Sequence, residues 1–240
     1  MGGGIIATRN PNGIVLLFFI LYRVSTINEL CLRLKKIMQP QRLVFIISGG
    51  LIPVVLQCIC WYLETGRLFI RSYNNSESFS WMSPHLMGVL FSVQKGMLVY
   101  APVLVLAFIG MFILKKRDMS LFIPITTIVI LDLWITSAWD QWQYGGSFGQ
   151  RPFIDYYVFF AILMGFALQK MDNMFYYEKS EDCRKISHVS FFITMTPLFV
   201  FMIMVNLKFM IAYWNGILPY SNNTVNDIIN VINWNMELEP

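Results

Sequence analysis

Apolar residues in this chain gather in long runs, not in the period-two alternation of a half-buried strand. A helix crossing a bilayer needs roughly 20 mostly apolar residues. Arg42–Leu63, Met97–Leu114, Met119–Trp139 and Val189–Tyr213 meet that length. Phe153–Gln169 is shorter, but it follows Pro152 and stops at Lys170, so it is predicted to span as well. Gly13–Leu30 is the weakest segment, because its apolar character ends at Tyr22. The pattern predicts an all-α polytopic transmembrane helical bundle of six spans, or five if the first falls short. It covers 1–240 as a single transmembrane domain, a fragment of a larger membrane protein, with outer loops at 64–96 and 140–152.

Composition supports the membrane reading. Hydrophobic residues make up 56% of the 240 and charged residues 13%, with a mean hydropathy of +0.56. A soluble domain carries about a quarter charged residues. Disordered, collagen-like and disulfide-stapled secreted classes fail on the same numbers.

The net charge of +4 is distributed as a topology signal. Arg23, Arg33, Lys35, Lys36 and Arg42 share one side with Lys115, Lys116 and Arg117, and with Lys170, Lys179, Arg184 and Lys185. Only Arg67, Arg71, Lys95 and Arg151 fall in the opposite loops. Basic residues accumulate on the cytoplasmic side, so the first group is cytoplasmic and both termini face out. No basic stripe of the kind nucleic acid requires is present, and no nucleic-acid partner is expected.

Trp61, Tyr62, Tyr100, Trp139, Trp142, Tyr156, Tyr157, Tyr213 and Trp214 all fall at outer helix ends and read as interfacial anchors. Pro53, Pro102, Pro124 and Pro197 read as kinks or helix starts. Cys31, Cys58, Cys60 and Cys183 read as buried or reduced thiols. His85 and His188 stand on opposite sides of the membrane, so neither a metal site nor a cofactor is expected. Asn74-Asn75-Ser76 and Asn222-Asn223-Thr224 have the form of glycosylation sequons.

The outer loop after the fourth span concentrates unusual chemistry. Gly145, Gly146 and Gly149 let the backbone approach a ligand closely or take positive φ. Trp142, Tyr144 and Phe148 suit sugar rings or isoprenoid chains, and Ser147 lies between Gly146 and Phe148. Arg151 offers a donor fork matched to phosphate, and Asp140 and Asp155 bring carboxylates to the boundary. Pro152 can begin the fifth helix and so place its positive end beside Arg151. The plainer alternative is a tight re-entry turn whose arginine contacts lipid head groups.

Two charges lie inside spans. Asp132 is roughly 10 Å inside Trp139 and Lys208 roughly 8 Å inside Tyr213, at about 1.5 Å per residue. Intramembrane charges are costly, and the similar depths predict a structural ion pair in preference to a proton relay.

The run Trp142-Gln143-Tyr144-Gly145-Gly146-Ser147-Phe148-Gly149-Gln150-Arg151-Pro152 resembles a signature of bacterial multi-spanning GT-C-type glycosyltransferase-like membrane proteins. Gly66, Tyr73, Phe79 and the segment Leu90-Phe91-Ser92-Val93-Gln94-Lys95-Gly96-Met97-Leu98-Val99-Tyr100-Ala101-Pro102 are similar to the stretch that family carries ahead of its next span. Arg9-Asn10-Pro11-Asn12-Gly13 resembles a mid-chain turn of the family, with Asn10 as a departure. The resemblance implies the carboxy-terminal half of an enzyme of the bacterial inner membrane. Such an enzyme transfers a sugar from a polyprenyl-phosphate donor at the outer face. The family's catalytic carboxylate lies in an early outer loop that nothing here matches, so the catalytic residue stays unassigned. The opening residues read as one helix turning into the next, and the chain is expected to begin inside a larger membrane domain. A transporter or channel lined by Asp132 and Lys208, or a non-catalytic scaffold, are the competing classes. The six spans show no internal repeat that would favour the transporter.

Overall fold

The computed structural model describes residues 2–70, 78–174, 181–219 and 221–233. Expectations placed on Arg71, Tyr73, Asn74-Asn75-Ser76, Lys179 and the end of the tail fall outside these residues, as do those on the side chains of Cys183, Arg184, Lys185 and His188. The described residues are helices and their connections, with no β-strand among them. They group into two compact units, Met1–Phe79 with Asp118–Ile135 and Ser80–Arg117 with Thr136–Pro240.

In the first unit, α1 (Gly2–Thr8) leads through a 3-10 segment (Asn10–Leu16) to α2 (Leu17–Leu21) and α3 (Ile27–Ile37). The predicted span Gly13–Leu30 is therefore not one helix. Arg23 takes φ 57°, which breaks the run, and α3 begins afresh with Thr26 capping the N–H of Glu29. The apolar helix in this region is Pro11–Leu21, too short to cross by itself.

After α3 comes α4 (Pro40–Thr65), opened by a proline at its start and ended by Gly66 in the left-handed conformation at φ 70°. α1 packs against α4 at a pair of glycines. A Cβ on Gly3 would come within 2.6 Å of the Gly50 carbonyl oxygen, so the two backbones touch. α4 buries none of its side chains, and Phe45 and Leu63 are each 77% exposed. Such surface is stable against lipid tails and costly in water.

α8 (Met119–Ala138) starts where Asp118 accepts from the N–H groups of Ser120 and Leu121. The Ser120 hydroxyl, donating to the same oxygen at 2.6 Å, does most to hold the Asp118 carboxyl below the ordinary range, followed by those N–H bonds and nearby Arg23.

In the second unit, α5 (Leu86–Phe91) and α6 (Met97–Tyr100) precede a 3-10 turn (Pro102–Leu104) and α7 (Val105–Arg117). The predicted span Met97–Leu114 is thus broken at Ala101–Pro102. Proline has no N–H to donate and disfavours helix in the residue before it, and Ala101 sits at φ −132°. A 3-10 segment (Arg151–Tyr156) leads into α9 (Tyr157–Met174), which packs along α7. There a Cβ on Gly110 would fall 1.8 Å from the Leu163 carbonyl oxygen.

α10 (Glu181–Trp214) and α11 (Val225–Ile232) complete the unit. Tyr100, Phe209, Ala212, Leu218, Ile228 and Val231 form a hydrophobic core within it. Two expected interfacial anchors are in fact interior, since Tyr100 is 3% and Tyr156 1% exposed. Trp214 is 88% exposed.

Four helices are long and apolar enough to cross a membrane: Pro40–Thr65, Met119–Ala138, Arg151–Asn173 and Met195–Trp214. They mark the chain as an integral membrane protein. Pro53, Pro124 and Pro197 sit inside helices, whereas Pro102 opens a new segment. Cys31, Cys58 and Cys60 are free thiols, in keeping with the buried-or-reduced reading through its second arm, since Cys31 and Cys60 are exposed. Both lie on helices whose apolar side chains are uncovered, so the segments that carry them leave these thiols open.

Candidate outer-loop site

The loop from Trp139 to Gln150 folds on itself through consecutive left-handed residues, Tyr144 at φ 54° and Gly145 at φ 59°. Gly145 takes this conformation at no steric cost, whereas Tyr144 does so against a penalty. Tyr144 N–H donates to the Gln141 carbonyl at 2.8 Å, and Ser147 N–H donates to the Gly145 carbonyl at 2.9 Å. Gly145 and Gly146 are exposed, and a Cβ built on either would meet no atom within 4 Å. The crest of the loop therefore borders open space.

The two sequence stretches singled out above meet here. Trp142 lies over Gly88, where a Cβ would stand 2.9 Å from the indole ring, and stacks on His85 at 6.2 Å between centroids. Asp140 Oδ1 accepts from Ser80 Oγ at 2.7 Å, and Gln143 Nε2 donates to Gln94 Oε1 at 3.3 Å. Tyr144 packs edge-on to Trp139. Phe148 turns inward between Tyr100 and Tyr213, so it is part of the core more than of any exposed surface.

The residue that joins the stretches is Lys95. Its ammonium donates to the Gly145 carbonyl, although the side chain is only 2% exposed. Burial first, and the positive charge of Arg151 second, push its pKa down to about 8. Arg151 itself is exposed, at the start of the helical stretch that continues as α9. A buried cation and an exposed one thus share one neighbourhood, and their mutual effect is repulsive. Asp155 is exposed one turn further on.

The Lys95 turn is tightly built. Gly96 N–H donates to the Ser92 carbonyl at 2.7 Å, and a Cβ on Gly96 would stand 2.5 Å from that oxygen. Tyr100 OH donates to the Val93 carbonyl at 3.0 Å. From the tail, Asn223 Nδ2 donates to Tyr100 OH at 2.9 Å and to the Gln94 carbonyl at 3.3 Å. Two buried acceptors, Gln150 Oε1 and Asn223 Oδ1, meet no donor among the described residues. An unsatisfied buried acceptor is costly and fits a site completed by water or a hydroxyl-bearing ligand.

From the sequence, Lys95 is a loop charge and a member of a family-resembling stretch, Gln94 and Gln150 stand only within such stretches and Asn223 only within a sequon, none of them with a role at the site. The available signal was a single cation inside the otherwise uncharged run Leu90–Tyr100.

The intramembrane charges have the following surroundings. Asp132 is 2% exposed and belongs to the first unit. Lys208 belongs to the second, where its ammonium donates to the Ile232 carbonyl at the end of α11. A cation there complements the negative end of that helix. No group of three His, Cys, Asp or Glu side chains comes together among the described residues. No protein-family model, no curated protein and no solved structure matches this chain.

Proposed function

We propose that this chain carries the donor-phosphate site of a GT-C-type membrane glycosyltransferase of the bacterial inner membrane. In this reading Lys95 and Arg151 hold the phosphate of a polyprenyl-linked sugar at the outer face. The observation that carries it is the pairing of a buried lysine with an arginine whose charges repel one another. An anion between them would relieve that repulsion, and the arginine fork would supply two parallel hydrogen bonds. The open space over Gly145 and Gly146 gives room for the phosphate. Gln150 and Asn223 offer acceptors for sugar hydroxyls, and Trp142 and Tyr144 offer faces for the sugar or the first isoprene units. Asp140 is engaged with Ser80, and Asp155 stands in solvent. Neither is assigned as the catalytic carboxylate.

The reading uses five crossings, adding the broken Met97–Leu114 segment to the four long helices. Its orientation has a direct test. A single cysteine at Ser221, exposed in the tail, should react with an impermeant maleimide in intact cells. One at Asn173, exposed at the far end of α9, should react only after lysis. Reversed labelling would put Arg151 in the cytoplasm and end the proposal.

The decisive experiment is binding of a short polyprenyl phosphate to the purified chain in nanodiscs. Losing a hydrogen bond to a charged group costs about 1.5–3 kcal/mol, or roughly 10–100-fold in affinity. Arg151→Ala should show a loss of that size, and Arg151→Lys a smaller one because charge remains while the fork is lost. Expression of both should match the parent, since the side chain is exposed. Parental affinity in both variants would reduce Arg151 to a head-group contact.

A further inference from the structure

The amphipathic helix α3 has no role in the donor site. Ile27, Leu30, Cys31, Leu34, Ile37 and Met38 recur at helical spacing and line one face, with Leu32 lying off it. That face is uncovered, with Ile27 80% and Met38 68% exposed. Glu29 and Lys36 lie on the opposite side, and Asn28 and Lys35 on the flank next to Cys31. Glu29 is already used, closing the amino end by accepting from the N–H groups of Ser25 and Thr26. Arg33 donates to the carbonyls of Ile20 and Tyr22, which ties α3 to the end of α2 and sets its roll.

What covers this face follows from continuity. Only Met38 and Gln39 separate α3 from α4, whose 26 residues form the most apolar candidate span in the chain. Two residues reach about 7 Å, so the end of α3 sits where α4 enters the membrane. Exposed Arg23, Lys35, Lys36 and Arg42 flank it with positive charge. A helix with an apolar stripe, a basic polar face and one end fixed at the bilayer surface lies in the interface plane.

We propose that α3 is an in-plane anchor seated in the head-group layer of an anionic leaflet. Ile27, Leu30, Cys31, Leu34 and Met38 enter the acyl boundary, and the lysines meet lipid phosphates.

Cys31 supplies the probe. The full chain, with Cys58, Cys60 and Cys183 changed to serine, is labelled at Cys31 with bimane. It is then reconstituted into vesicles whose lipids carry a spin label near the top of the acyl chain. Bimane at Cys31 should be quenched about threefold more than bimane at Leu32→Cys, which lies off the apolar face, in a Cys31→Ser background, since that face sits about 5–10 Å into the boundary. Adding phosphatidylglycerol should increase quenching at Cys31, and Lys35→Gln with Lys36→Gln should remove that increase while leaving the neutral-lipid signal. Equal quenching at the two positions would overturn the proposal. So would quenching at Cys31 that vanishes as the protein is diluted in lipid, which would assign the face to a second copy of the chain.

Discussion

Gly110→Val is expected to abolish accumulation of folded protein, the largest effect of any single change considered. The carbonyl of Leu163 occupies the space a side chain would need, 1.8 Å from a Cβ oxygen to atom and 2.5 Å from it to the carbonyl carbon. Both obstructing atoms are backbone, so no rotamer change relieves the clash, and α7 and α9 must separate. Overpacking a well-packed interior costs typically 1–3 kcal/mol where side chains can yield. Here they cannot, so even Gly110→Ala should lie at or above about 3 kcal/mol. Gly165 is a matched control. It stands on α9 with no atom within 4 Å of its notional Cβ, and Gly165→Ala should hold or raise stability through helix propensity. Size-exclusion profiles and melting temperatures of detergent-solubilised protein read both. A folded Gly110→Val chain would mean that the two helices do not pack backbone to backbone.

The second large effect is a pH dependence with opposite signs for ligand binding and stability. Lys95 in the empty site has a pKa of about 8, below its ordinary value near 10.4. A phosphomonoester, with a second pKa of about 6, is already a dianion in this range. Affinity for a polyprenyl phosphate should therefore be full below pH 8 and fall as pH rises through it, by up to tenfold per unit until the bound-state pKa is reached. Stability without ligand should move the other way. The unfolded chain binds the extra proton between about pH 8 and the ordinary lysine pKa, so folding becomes more favourable across that window. Lys95→Gln should bind about 10–100-fold more weakly at pH 7 and lose the dependence on both axes. A flat binding profile in the parent protein would remove Lys95 from the phosphate.

Hydropathy located four helices closely. Met119–Trp139 was expected and Met119–Ala138 is found, and Arg42–Leu63 lies inside Pro40–Thr65. Length and apolar content decide such segments, and both are local. The two segments that differ fail for local reasons that averaging conceals, a left-handed Arg23 in one and a proline-led break at Ala101 in the other. The glycine-rich loop was legible because glycines, aromatics and an arginine are adjacent in the chain. Lys95 was not, because its burial comes from remote residues. Gly145 supplies its acceptor, and Asn223 pins the turn that carries it. Similarly, Tyr100 reads as an interfacial ring until Phe209, Leu218 and Ile228 enclose it.

The bond from Asn223 to the Gln94 carbonyl closes 129 residues of chain. Synthesis runs from the amino end, so this contact waits until the last long helix and the segment beyond it have been made. A nascent chain that has reached residue 219 already contains all four long helices, while the turn bearing Lys95 still lacks its clamp. Completion of the bilayer-embedded part and completion of the site are therefore separate events in biogenesis. A chain released between them would pass any check that counts inserted helices and would still carry a loosely held cation.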